Sequence, residues 1–120
     1  MPFTYVTGPL VLFKGDALAP RVLNFGTTLE ATTMRVFSNR AGSPTVADSG
    51  SVKIPSRGTT AMSYTLTDAD ECWVEIETTS ETLIPTCYVA RPAVSGGFET
   101  LTLYKPGDFA VFDPTGKRLW

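Results

Sequence analysis

The sequence predicts an all-β domain, an antiparallel β-sandwich of about eight short strands with no substantial helix. Three observations predict it. Threonine occurs 18 times, valine ten times and isoleucine three times in 120 residues, and β-branched side chains favour pleated, half-buried backbone. Ten glycines and nine prolines interrupt helices, and no stretch of about eleven residues free of them repeats apolar positions at i, i+3, i+4 and i+7. Turn signals recur every 8 to 15 residues: Gly8-Pro9, Gly15-Asp16, Asn24 to Gly26, Asn39 to Pro44, Ser49-Gly50, Pro55 to Gly58, Asp68 to Asp70, Ser95 to Gly97 and Pro106 to Asp108. That spacing marks a sandwich or barrel, here immunoglobulin-like or jelly-roll-like in outline.

A chain this long folds as one domain, residues 1-120, and hides roughly two-thirds of its unfolded surface, enough for a core without staples. Its first 14 residues hold Phe3, Tyr5, Val6, Leu10, Val11, Leu12 and Phe13. Such an apolar end either packs over its own sandwich or lies on a neighbouring subunit by strand addition. Residues 1-9 are thus a candidate docking arm. Between Thr32 and Ser38, Met34 and Val36 share one face and Thr33, Arg35 and Phe37 the other. From Ala61 to Thr67, Met62, Tyr64 and Leu66 face one way and Ala61, Ser63, Thr65 and Thr67 the other. Period two of this kind puts one face on a core and one in water.

Two hairpins follow from the turn signals. A reversal near Thr79-Ser80 would set Ile76 against Leu83, Val74 against Pro85 and Cys72 against Cys87, with Trp73, Glu75 and Glu77 outward. Pro85 has no N–H for a ladder, so its strand should lie at an edge, end early or bulge. Pro106-Gly107 suits the centre of a type II turn. Folding there sets Tyr104 against Phe109, Leu103 against Ala110 and Leu101 against Phe112, a ribbon apolar on both faces. The chain then ends Lys117-Arg118-Leu119-Trp120, so 114-120 is a second candidate arm, with Trp120 suited to a partner's pocket.

Composition excludes several functions. Ten basic against twelve acidic side chains give a net charge of −2, and the scattered lysines and arginines supply no patch that could neutralise phosphates, so no nucleic acid is expected as partner. The start lacks the basic residues and the apolar stretch of a signal peptide, and Leu10 to Phe13 is far shorter than a membrane span. No membrane partner is therefore expected either. Histidine is absent, which removes the commonest general base and metal ligand.

The residues that could carry chemistry each have a plain structural reading. Cys72 and Cys87, fifteen apart, fit neither a CxxC nor a zinc site. They are a disulfide candidate by the register above, and otherwise buried reduced thiols acting as small apolar groups. Asp68, Asp70, Glu71, Glu75 and Glu77 form a local acidic cluster. A solvated turn followed by the outer face of a strand explains it; calcium binding or acid–base catalysis would need carboxylates from facing strands. Gly116-Lys117 continues into Arg118 and is no phosphate loop, and no serine lies in GxSxG. Trp73, Tyr104, Phe109 and Trp120 could form a stacking platform, but aromatics in a small β protein usually fill its core. No catalytic residue, metal or cofactor is expected, and the protein reads as no enzyme.

Phe13-Lys14-Gly15-Asp16 followed some 50 residues later by Tyr64-Thr65-Leu66-Thr67-Asp68-Ala69-Asp70 resembles immunoglobulin-like β-sandwich modules of tailed-bacteriophage virions. The likeness is to the N-terminal module of baseplate upper proteins and to capsid decoration proteins. It spans roughly residues 10 to 113. In that family a Gly-Asp opens the first sheet and a Tyr-x-Leu-Thr segment ends a middle strand. The family's next Pro-Gly-x-Tyr segment is echoed by Pro85-Thr86-Cys87-Tyr88, with threonine for glycine. The resemblance implies a non-enzymatic structural protein of the virion, assembled in the host cytoplasm. Its expected role is capsid decoration, or cement, with the major capsid protein and copies of itself as partners. A baseplate, tail or head-tail adaptor is the alternative, and a carbohydrate- or receptor-binding sandwich using Trp73 is the alternative of another class. Expected interface residues are Phe3, Tyr5, Leu10, Leu12, Trp73, Tyr104, Phe109, Leu119 and Trp120.

Overall fold

In the computed structural model, which describes residues 2–39 and 44–120, two antiparallel sheets pack face to face. The strands are β1 (Phe3–Val6), β2 (Leu10–Leu12), β3 (Ala17–Asn24), β4 (Glu30–Ser38), β5 (Thr45–Ile54), β6 (Thr59–Ala61), β7 (Tyr64–Thr65), β8 (Asp70–Thr78), β9 (Leu83–Pro92), β10 (Phe98–Tyr104) and β11 (Ala110–Phe112). Sheet A runs β11-β1-β8-β4-β5, with β2 also on β8; sheet B runs β10-β9-β3-β6, with β7 also on β3. The all-β sandwich is therefore the fold. The count of eleven against about eight arises largely from interrupted strands, because β1 and β2 lie along one side of β8 and β6 and β7 along one side of β3.

The interruptions have local causes. Thr7, Gly8 and Pro9 separate β1 from β2, and the Thr7 hydroxyl takes over a ladder role by accepting the Val74 N–H at 2.9 Å. Pro20 in β3 has no N–H to give, and the break between β6 and β7 falls beside it, where only Met62 N donates to Pro20 O. Pro85 follows the same rule. It pairs with Val22 of β3, while β10 reaches along β9 only as far as Cys87, so β9 has a free flank at the proline.

Inward side chains of both sheets build one core. Sheet A contributes Met34, Val36, Cys72, Val74, Ile76 and Val111, and sheet B contributes Leu18, Val22, Leu83, Cys87 and Val89. The alternation read from Thr32 to Ser38 and from Ala61 to Thr67 matches the burial along both segments.

Both proposed hairpins are corrected. Strand β8 lies in sheet A and β9 in sheet B, so the chain crosses the sandwich at 79–82. Cys72, Val74 and Ile76 face Leu83, Pro85 and Cys87 across the core rather than along a ladder. The second reversal is likewise a crossover. Residues Pro106–Asp108 form a 3-10 turn, closed by Lys105 N donating to Asp108 Oδ2 at 2.8 Å and Asp108 N to Lys105 O at 2.9 Å. It carries the chain from β10 in sheet B to β11 in sheet A. Tyr104 and Phe109 still meet, with ring centroids 6.1 Å apart, but through the core's edge.

The hairpin that does form here joins β9 to β10 at the Ser95–Gly97 signal, where Gly96 and Gly97 take φ of 96° and 72°, values that disfavour any side chain. The other turn signal that joins paired strands, Asn39 to Pro44 between β4 and β5, has its residues 40–43 outside the described residues.

Candidate docking surface

One rim of sheet B is apolar and unprotected. Strand β10 pairs with β9 on one side and with no other strand among the described residues. Six of its seven residues are exposed, including Phe98, Leu101 and Leu103, which are 64%, 42% and 50% exposed. Leu101 is the extra residue of a bulge between Thr100 and Thr102. A flat flank of unpaired backbone donors and acceptors is a template for another chain unless charge, proline or a bulge blunts it. Here the bulge is present, but Glu99 is the single charged residue of the strand.

The apolar character continues onto the outer face of sheet B. Ladder register places Leu103 beside Tyr88, Tyr88 beside Ala19, and Ala90 beside Ala17. Small side chains sink this face into a shallow hollow of about 210 Å³, floored by Ala17, Ala19 and Ala90 and walled by Tyr88, Thr65 and Phe98. A face made of alanine, hydroxyl and ring surface, with Arg21 as the cation in that row of β3, loses little by leaving water.

The expected interface residues are divided by the structure. Tyr5, Leu12 and Phe109 are buried, at 8%, 4% and 3% exposure, and belong to the core, so they offer no surface to a partner. Phe3, Leu10 and Tyr104 are half-buried and pack on that core. Burial also pushes the Tyr5 and Tyr104 phenols up from their ordinary pKa. Trp73 is half-buried on the outer face of sheet A, stacked on Phe37. Leu119 and Trp120 remain exposed.

Within the 1-9 segment, β1 (Phe3–Val6) is an interior strand between β8 and β11. The C-terminal residues also dock on their own chain. Arg118 bridges to Phe112, Leu119 N donates to Val111 O, and Val111 N donates to Trp120 O at 2.8 Å. Trp120 lines a depression with Gly8 and Phe109. Main-chain bonds thus tie both ends to the sandwich, while the Trp120 side chain stays 61% exposed.

Cys72 and Cys87 are buried thiols on opposite sheets. Burial pushes the Cys87 thiol up to about 12, so it holds its proton and behaves as a small apolar group. Of the acidic residues, Glu71, Glu75 and Glu77 share the outer face of β8, which Asp70 opens after the turn at Asp68. Asp70 accepts from Ser38 and from Glu71 N, while Glu77 receives Arg35 Nη1 at 2.9 Å on the outer face. Among the described residues, no group of three His, Cys, Asp or Glu is placed to hold a metal ion, and no helix is long and apolar enough to cross a membrane.

Sequence reading missed the polar groups that tie the loops. Asp16, 1% exposed, receives Arg91 Nε on Oδ1 and Arg91 Nη2 and Phe13 N on Oδ2, each at 2.9 Å. Asn24, fully buried, donates to Thr28 O and Ile54 O at 2.8 Å and accepts Gly26 N at 2.9 Å. Asp113 Oδ1 receives Thr115 N, Thr115 Oγ1 and Lys117 N, which orders the turn that returns the C-terminus. The signal was present, since Asn24-Phe25-Gly26 and Asp113-Pro114-Thr115-Gly116 are side-chain-stabilised turn sequences.

No family model, curated protein or solved structure matches the chain.

Proposed function

We propose that this chain is a non-enzymatic structural protein of a bacteriophage virion, a capsid decoration protein that docks on the major capsid lattice through β10 and the adjoining face of sheet B. The observation that carries the docking surface is the exposure of Phe98, Leu101 and Leu103 along an edge strand. An edge of this kind offers main-chain hydrogen bonds for affinity and alternate side chains for selectivity. The virion assignment rests on the resemblance of Gly15-Asp16 and Tyr64 to Asp70 to phage sandwich modules. Asp16 supports it, because the bond of its buried carboxylate to the partly exposed Arg91 gives that Gly-Asp a structural task at the opening of β3.

On this reading the protein bridges capsid subunits in many copies and works by holding surface, with no turnover. It is assembled in the host cytoplasm and persists in the particle. The same surface would serve a tail or head-tail adaptor in far fewer copies. Particles made without the protein are the test. They should form and then lose DNA under heat or osmotic shock at milder conditions than complete particles, and unchanged resistance would contradict the cement role.

A further inference from the structure

We propose that the outer face of sheet A carries a binding site for a neutral hexopyranose, with the indole of Trp73 as its stacking platform. The site lies on the other sheet from β10 and is independent of the docking reading. Trp73 and Phe37 are cross-strand neighbours whose rings stack with centroids 5.3 Å apart and planes 4° from parallel. Phe37 therefore backs one indole face and sets its tilt. The indole N–H is directed to Glu75 Oε2 at 3.4 Å.

On the other flank of β8 the ladder is interrupted beside Trp73. Val6 pairs with Glu75 and Leu10 with Cys72, which leaves the Thr7-Gly8-Pro9 segment opposite the tryptophan. A depression of about 450 Å³ opens there between Trp73, Pro9, Glu71 and Asn39. Trp73 itself lines this depression, so an aromatic side chain borders an open, partly polar hollow. The C–H face of a pyranose ring suits such a surface, because indole offers a large apolar area with little entropy to lose.

Hydrogen-bonding groups at the rim favour a sugar over a cation. Asn39 N donates to Glu71 O at 2.9 Å, and Asn39 Nδ2 donates to Glu71 Oε1 at 3.3 Å. The amide retains a second N–H and its carbonyl, and the carboxylate retains its other oxygen. Adjacent sugar hydroxyls both donate and accept, which this couple matches. A lysine or arginine side chain only donates and would find no use for the amide N–H. Charge then selects among sugars. The outward positions of β8 are Glu71, Trp73, Glu75 and Glu77, and the cation facing them from β4, Arg35, is held by Glu77 at 2.9 Å. Sialic and uronic acids would be repelled, so the ligand is neutral.

The test uses the intact chain with Trp120→Phe, so that Trp73 alone reports by fluorescence. Lactose, maltose and cellobiose are titrated separately, a printed array of neutral and anionic glycans is probed in parallel, and decalysine serves as the cationic probe. Neutral sugars should bind, and Trp73→Ala, which removes the fluorescent reporter and is therefore read by the array and by titration calorimetry, should weaken binding at least about tenfold. Asn39→Ala and Glu71→Ala, both outside the core, should weaken it with melting unchanged, which keeps the test valid should Trp73→Ala perturb the fold. Absence of any neutral-glycan binding overturns the proposal. So does binding that survives Asn39→Ala and Glu71→Ala, and so does binding of decalysine in place of sugar.

Discussion

Truncating Leu18 and Leu103 to alanine separates the residues that hold the sandwich from those offered to a partner. Leu18 is the second residue of β3, paired with Val89 on one side and Tyr64 on the other, and is 1% exposed. Leu18→Ala removes three carbons, worth ~0.8 kcal/mol each or ~2.4 kcal/mol of transfer energy. The cavity left between two sheets raises the cost to about 3–4 kcal/mol. Leu103 is 50% exposed, so about half of the transfer energy is at stake and solvent fills the gap, giving about 1 kcal/mol or less. Urea unfolding followed by tryptophan fluorescence measures both. With a slope of about 1.5 kcal/mol per molar, Leu18→Ala should lower the midpoint by about 2 M and Leu103→Ala by well under 1 M. Equal losses would refute the reasoning, because Leu103 would then be part of what stabilises the fold rather than surface left for docking.

Other outcomes follow from buried polar groups and thiols. Native protein should react negligibly with a thiol reagent at neutral pH, since both cysteines are buried; denatured, unreduced protein should titrate two thiols, and none would indicate a disulfide. Thr7→Ala leaves the fully buried Val74 N–H without its side-chain acceptor and should cost about 1–3 kcal/mol by the same urea assay, whereas Thr7→Ser should cost much less. The Arg91 hydrogen bond holds the Asp16 carboxyl below the ordinary carboxylate range, against the opposing effect of burial. A folded pKa below the unfolded one means stability that is whole above the unfolded value near 3.8 and is lost as pH falls through the folded value. Melting temperatures of wild type should therefore fall more steeply than those of Asp16→Asn as the medium is acidified below that value, and parallel slopes would contradict the ion pair's role.

How far the fold was legible depends on which interaction writes it into the chain. Facing along strands was legible, because period-two alternation is local: Met34 and Val36, Cys72, Val74 and Ile76 are all buried as the pattern requires. Partnership between strands was not. The same alternation fits β8 and β9 whether they share a ladder or oppose each other across a core, and the turn at 79–82 has residues suited to either. Pro106-Gly107 misled for a related reason, since proline at the start of a 3-10 turn and proline in a type II turn look alike in sequence. The two-faced apolarity of residues 101–112 was the available clue to a crossover: Leu101 and Leu103 stand at the rim of one sheet while Val111 enters the core from the other. Among the interface candidates, Tyr5 and Leu12 stand out in sequence by the apolar first 14 residues and Phe109 by the two-faced ribbon, and neither signal reports depth. Chain position carries no information on depth once β1 is paired on both flanks. The place of Phe98 after Ser95-Gly96-Gly97 marks the start of a hairpin strand, but nothing in the local pattern tells that this strand lies at an edge.

Quantitative mass spectrometry of purified particles, comparing wild type with a Phe98→Ser/Leu103→Asp double variant, tests the docking account most directly. The account predicts hundreds of copies per particle for wild type, in fixed proportion to the major capsid protein, and near loss of the double variant from particles although it stays folded in solution. A few to dozens of copies would move the protein to the tail or connector. Absence of the wild-type chain from particles, or undiminished incorporation of the double variant, would contradict docking through β10.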